Sequence, residues 1–362
     1  MQETTRRQFV KNMAATIGGF ALTGPSVLFA KPIHAKIAVY APSHCSLSPV
    51  HAFHSGLYQK NGVNVEIIYC KQMTEILTRL CSGDVKFAQL MSPMILKTHA
   101  DPVQSKQMPL AVTQVLGTNG GILGISSQSQ IKKIQDLSGK TIGVHSPLMV
   151  HNLIMQILLE KYGLTQNNVH IKTVPMHLIK ESLLKGDIHG FIHPEPLPTL
   201  LESKAISRSL LMTRMFWRNH PCCLLACRKS FFEKNQQLTE DITRATATSC
   251  LMLNNIAMRE EQIKKIYAMK TPFTKIPLNL LQKAFSPRRS DFFPFPFLSA
   301  AYIIIEQMKK AKLLPESTDV KATARDVFQS EFAMNILKQA ASLVPGSKIP
   351  SAIEREETFK LI

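Results

Sequence analysis

Leu80-Cys81-Ser82-Gly83-Asp84-Val85 and Leu183-Leu184-Lys185-Gly186-Asp187-Ile188 are two copies of one local pattern. In each, an apolar-periodic stretch closes on Gly-Asp and a short apolar run follows. A proline comes at the same offset in both, Pro93 and Pro196. Glycine just past the last periodic residue is a helix stop, because it adopts the left-handed conformation at no steric cost. A short apolar run bounded by turn residues reads as a buried strand. Both copies therefore read helix, turn, strand, polar loop, and they predict two similar α/β lobes.

Working outward, the same alternation continues on both sides. Lys36–Tyr40, Val63–Tyr69 and Val85–Leu90 read as strands, with helices over Val50–Gln59 and Thr74–Cys81. The pattern restarts at Thr141–Val144, followed by a helix over Leu148–Tyr162 and a strand over Val169–Val174. A helix over His177–Lys185 and a strand over Ile188–Ile192 complete it. Alternation with short connections predicts parallel βαβ units. From Leu238 the chain reads as mostly helical, interrupted by the aromatic loop Phe292-Phe293-Pro294-Phe295-Pro296-Phe297. The expected division is 31–121 for the first lobe, 122–222 for the second, and 223–362 for a helical return to the first lobe. In open parallel sheets, ligands bind beyond the carboxyl ends of the strands. Two such lobes facing each other predict a ligand in the crevice between them, where helix N-termini present backbone N–H groups and suit an anion.

The first thirty residues read as an export signal. Arg6-Arg7-Gln8-Phe9-Val10-Lys11 precedes a weakly apolar stretch to Phe29 and then Ala30, a twin-arginine pattern. Gly and Pro25 interrupt a segment shorter than the roughly 20 apolar residues that span a bilayer. The chain has 362 residues, 43 Lys+Arg and 25 Asp+Glu, a net charge of +18. Residues 1–30 carry Arg6, Arg7 and Lys11 against Glu3, so the remainder keeps about +16. Such charge points to an anionic partner. Export, the lack of zinc-finger or RNP-like motifs and the lack of a long basic run argue against nucleic acid. At 45% hydrophobic residues the chain is not disordered.

No catalytic signature is present: no G-x-S-x-G elbow, phosphate-binding loop or H-E-x-x-H. The pair His193 and Glu195 is the only one that suggests an enzyme. Gly117-Thr118-Asn119-Gly120-Gly121 reads as a turn at a lobe crossover that could also line the site. Seven cysteines leave an odd one if paired. Cys222, Cys223 and Cys227 cluster, but no second soft cluster matches them for zinc. His44, Cys45, His51 and His54 lack a completing ligand, so no metal or cofactor is expected.

Longer stretches resemble the substrate-binding proteins of nitrate/sulfonate/bicarbonate-type ABC importers, most of all their nitrate- and bicarbonate-binding branch. The resemblance covers residues 36 to about 310. It rests on Gly56–Val63, Gly83-Asp84-Val85-Lys86-Phe87-Ala88, Leu137–Val144, His151-Asn152-Leu153 and Gly186–Phe191. Glu195-Pro196, Phe216–Pro221 and Gln307–Lys310 continue the series. It implies an α/β, two-lobed type II periplasmic-binding-protein fold, each lobe a mostly parallel sheet flanked by helices. It implies a periplasmic monomer that is not an enzyme, closes on a small anion or anion-bearing organic solute, and delivers it to permease and ATPase subunits. Ligand contacts are implied at His151, Arg218, Asn119 and Gly120, with Ser92, His193 and Glu195 in the two strand-following loops. A sensor, or a pyrimidine-precursor or futalosine-pathway enzyme of the same fold, is the alternative.

Two departures from the pattern bear on the solute. Leu90 stands where nitrate-binding relatives have a tryptophan, and His193-Pro194-Glu195-Pro196 replaces Gly-Glu-Pro. Proline removes a backbone N–H, so a backbone contact there is lost or reshaped.

Overall fold

The computed structural model describes residues 33–100, 108–165 and 167–361. The expected signal with Arg6 and Arg7 lies outside them. Among the described residues, ten strands form two five-stranded sheets. They are β1 (Ile33–Tyr40), β2 (Val63–Cys70), β3 (Phe87–Met91), β4 (Leu110–Val115) and β5 (Gly121–Ser126), then β6 (Thr141–Val144), β7 (His170–Thr173), β8 (Gly190–Pro194), β9 (Ser207–Met212) and β10 (Cys223–Arg228).

The first sheet has the order β2-β1-β3-β10-β4 and the second β7-β6-β8-β5-β9. The two orders are the same arrangement. β1 pairs in parallel with β2 and β3, as β6 does with β7 and β8. β10 runs antiparallel to β3 and β4, and β5 antiparallel to β8 and β9. Each sheet thus contains one reversed strand, and that strand is the one that enters from the other lobe. The repeated Gly-Asp pattern lies at equivalent places, just before β3 and β8. The helix Met73–Ser82 stops at Gly83 (φ +83°) and the helix Ile179–Lys185 at Gly186 (φ +77°).

The strands β3, β10 and β4 are almost wholly buried, as are β5 and β8. Helices cover both faces of each sheet, which is why these strands read as continuous apolar runs. One helix differs from expectation. Val50–Gln59 is two helices, Leu47–His54 and Leu57–Lys60, because Gly56 (φ +68°) breaks the turn between them.

The C-terminal helices complete the first lobe. Gln236–Asn254 packs on Leu47–His54 and Ser330–Ser342, and Leu298–Lys310 touches both Ser92–Ala100 and Val150–Lys161 of the second lobe. The aromatic loop runs along the first crossover. Val115 N–H donates to Pro294 O at 2.9 Å, and Thr118 and Asp291 exchange backbone bonds of 2.8 and 3.0 Å. The tail beyond the last helix returns to the second crossover, where Lys360 N–H donates to Phe216 O at 2.9 Å. Among the described residues no helix is long and apolar enough to cross a membrane.

Candidate functional site

The strand ends converge on a cavity of about 620 Å³ between the sheets. From the first lobe it is lined by Tyr40 to Cys45 after β1, Lys71 to Thr74 after β2, and Gln89, Met91 and Met94 on and after β3. From the second it is lined by His145 to His151 after β6, Pro175 to His177 after β7, and His193 to Leu200 on and after β8. These are the carboxyl ends of the parallel strands, where the doubly wound topology splits its loops and leaves a crevice.

The wall is soft and mostly neutral. Met73, Met91, Met94, Met149 and Met176 bring thioethers, and Leu197, Leu200 and Ile276 bring alkyl surface. Lys71 is the sole Lys or Arg lining it among the described residues, and it is exposed. The buried imidazoles of His44, His151 and His193 are uncharged at neutral pH. Burial lowers His44 and His193 to about 4, holds His151 well below its ordinary value, and lowers His145.

Tautomers follow from the partners. A carbonyl oxygen only accepts, so His44 donates from Nε2 to Asp291 O at 2.8 Å, and its Nδ1 keeps a lone pair 4.0 Å from Cys45 Sγ. His193 donates from Nδ1 to Pro194 O at 2.9 Å, leaving its Nε2 as an acceptor. The buried Nε2 of His151 has no partner. Gln89 ties the β1 loop in place: its Oε1 accepts from Tyr40 N–H at 3.2 Å, and its amide donates to Ser43 Oγ at 3.2 Å. Tyr40 Oη contacts Met176 Sδ at 3.4 Å, bridging the lobes across the cavity.

The structure brings His151, His193 and Glu195 to the cavity wall. The Glu195 carboxylate turns to its own lobe's Thr199 (Oγ1 3.0 Å, N 3.2 Å) and to Arg289, and bonds no histidine. Ser92, Asn119, Gly120 and Arg218 are not lining residues. Ser92 is buried and lies 3.5 Å from Cys222 O. Asn119 is consumed by the crossover: its amide donates to Asn219 Oδ1 at 2.9 Å and Asp291 Oδ2 at 2.8 Å. Gly120 lies under His44 so closely that a Cβ there would stand 2.3 Å from Nδ1. Arg218 is exposed. Leu90 is buried in β3 and is not a lining residue.

The expectation that Cys222 and Cys223 lack a soft partner does not hold. Cys45, from the turn after β1, brings its Sγ within 4.8 Å of both. The sequence could not show this, because 177 residues separate Cys45 from Cys222 and only the β1-β3-β10 order closes the gap. Within the trio, bonding to Cys222 and Cys45 holds the Cys223 thiol well below its usual range, whereas burial pushes Cys45 well above it. His51 of that region serves the core. His51 bonds Ser249 Oγ at 2.8 Å and Gln262 Oε1 at 2.9 Å.

Sequence reasoning missed Tyr40, Gln89, His145 and the methionines. The signal that finds them is position: apart from Gln89, which lies mid-strand in β3, each stands at or just past the carboxyl end of a strand or in the first turn of a helix.

A family model described as the NMT1-like family matches residues 30–267. The nitrate/nitrite binding protein NrtA of Nostoc sp. is 23% identical over 253 residues, 63% of this chain and 56% of that protein. The bicarbonate transport ATP-binding protein CmpC of Synechocystis sp. is 21% identical over 225 residues, 58% of this chain and 34% of its own length. The chain thus spans about a third to just over half of these relatives. Among solved structures, the periplasmic nitrate-binding protein NrtA from Synechocystis PCC 6803 superposes with a TM-score of 0.78 at 18% identity, covering 90% of this chain and 93% of that one. At that identity the likeness concerns the fold.

Proposed function

The chain belongs to the NMT1-like family, and on that footing we propose that it is the solute-binding component of an ABC-type importer. Its solute is an anion-bearing organic molecule rather than a bare inorganic anion. The observation that supports this is the cavity itself, about 620 Å³ between two lobes, with a mainly apolar wall to which five methionines and four prolines contribute. A small oxyanion needs convergent charged donors in a tight site. This wall offers neutral imidazoles and one exposed lysine. Its size and character suit an apolar body with few polar groups fixing its orientation. Lys71 and the backbone N–H groups at the starts of the helices Met73–Ser82 and Val150–Lys161 suit the anionic end. His151 and His193 supply the directed polar contacts.

In this reading Ser92, Asn119 and Gly120 set the framework on which the wall rests, and Arg218 steers anions from the surface. The protein is exported through its twin-arginine signal, works in the periplasm as a monomer, and hands its solute to permease and ATPase subunits.

Thermal-shift measurements on the purified protein test the reading. Alkyl- and arylsulfonates and carboxylates are compared with nitrate, nitrite and bicarbonate. A ligand at one hundred times its Kd adds about 2.7 kcal/mol of stability, a Tm rise of several degrees for a protein of this size. We expect that rise from organic anions. A rise with nitrate alone refutes the organic assignment, and no rise with any member refutes the solute-binding one.

A further inference from the structure

Cys45, Cys222 and Cys223 are buried, free of disulfides, and line the interlobe cavity. Their sulfurs lie within 4.8 Å of one another. The fold assembles them from distant places: Cys45 from the turn that leaves β1, and Cys222 and Cys223 from the point where the chain re-enters the first sheet as β10. The Cys223 backbone N–H donates to Cys45 Sγ at 3.3 Å. No carboxylate belongs to the group. The thioethers of Met91 and Met94 line the same cavity.

We infer that Cys45, Cys222 and Cys223 form a binding site for a soft, thiophilic metal ion of the Cu(I) type in the wall of the cavity. Thiolate and thioether surroundings select soft ions, and geometry then chooses among them. Structural zinc sites close with four nitrogen or sulfur ligands. Here there are three sulfurs. The nearest imidazole nitrogen, His44 Nδ1, lies 4.0 Å from Cys45 Sγ and outside the group, pressed against Gly117 and Gly120. Three convergent sulfurs with no fourth His, Cys, Asp or Glu ligand among the described residues match trigonal Cu(I). The site does not depend on which solute the cavity takes.

The test uses the full chain, reduced with a phosphine, desalted without oxygen, and titrated with Cu(I) against bathocuproine disulfonate. We expect one ion per chain withheld from the chelator, and an inner shell of three sulfurs by X-ray absorption. Cys222→Ala and Cys223→Ala should each weaken binding at least tenfold, and Cys81→Ala should leave it unchanged. Where a variant fails to fold, the sulfur count on the unmodified chain decides; fewer than three sulfurs overturns the site. Failure of the reduced chain to retain Cu(I), or retention by a Cys222→Ala/Cys223→Ala double variant, also overturns it. Four-coordinate Zn(II) held in preference to Cu(I) overturns the assignment of the ion. The thermal-shift panel, run on metal-free protein, reports on the solute independently.

Discussion

Arg289, in the C-terminal segment that returns to the first lobe, is ion-paired with Glu195, on the loop that follows β8 in the second. The same guanidinium bonds Glu202 through Nη1 at 2.9 Å and Nη2 at 3.2 Å. Arg289 and Glu195 are both buried. One arginine therefore holds two second-lobe carboxylates. Removing one partner of a buried pair leaves an uncompensated charge and costs about 3–5 kcal/mol. Arg289→Ala should lower Tm and widen the molecule in small-angle scattering, whereas Glu195→Gln, which leaves Glu202 in place, should do less. An Arg289→Ala variant with native Tm and native radius of gyration would refute the latch.

Stability should fall steeply in mild acid. His44, His51 and His193 are lowered to about 4 and His220 to about 3, in each case chiefly by burial. In the unfolded chain a histidine titrates near 6.5. Above that pH both states are neutral and the stability is intact. As pH falls from 6.5 towards 4, protons bind the unfolded state first. Each group then withdraws about 2 kcal/mol by pH 5. Urea unfolding at pH 7.5 and pH 5 measures the loss, and equal midpoints would show that these imidazoles are not buried as described.

Glycine is required at the first crossover for reasons of space. A Cβ on Gly120 would stand 2.3 Å from His44 Nδ1 and 2.7 Å from Cε1. His44 cannot yield, since it bonds Asp291 O on one side and packs edge-on against Phe292 at 4.8 Å. Gly120→Ala should cost about 1–3 kcal/mol by overpacking. Combining it with His44→Ala should cost less than the sum of the two single changes, and strict additivity in denaturant melts would rule the clash out.

Trp217 is the chain's single tryptophan and is fully buried. Its indole donates to Glu357 Oε2 at 2.6 Å, and its ring meets Phe359 at 5.4 Å. Glu357 also accepts from Ser299 Oγ at 2.9 Å and pairs with Arg355 at 2.8 Å. Glu357→Ala should cost about 2 kcal/mol, the value of a hydrogen bond to a charged group. Truncation after Gly346 should shift tryptophan emission to the red. Unchanged emission from the truncated chain would mean that the tail does not cover the indole.

The repeated Gly-Asp turns made the architecture legible, because helix stops and buried strands leave marks within six residues. His151, at the start of the helix after β6, and His193, near the end of β8, came from the family resemblance, and both line the cavity. The ion pair of Glu195 with Arg289 and the meeting of Cys45 with Cys222 were not legible. Each joins residues far apart in the chain, and their proximity comes from sheet order rather than spacing. Asn119 and Gly120 were expected to contact the ligand, and neither lines the cavity. What the structure shows at those positions is a crossover packed against His44 and Asp291.

β10 lies between β3 and β4, yet the chain makes β4 at Leu110–Val115 and does not reach β10 until Cys223. Every strand of the second sheet falls between Gly121 and Met212. As the chain leaves the ribosome, its second lobe is complete while the first still lacks an inner strand. The earlier-made lobe must finish last, by inserting a late strand between two early ones, a long-range pairing that slows folding. Residues 121–212 are then the part that can be excised as a continuous piece, whereas no single cut isolates the first lobe.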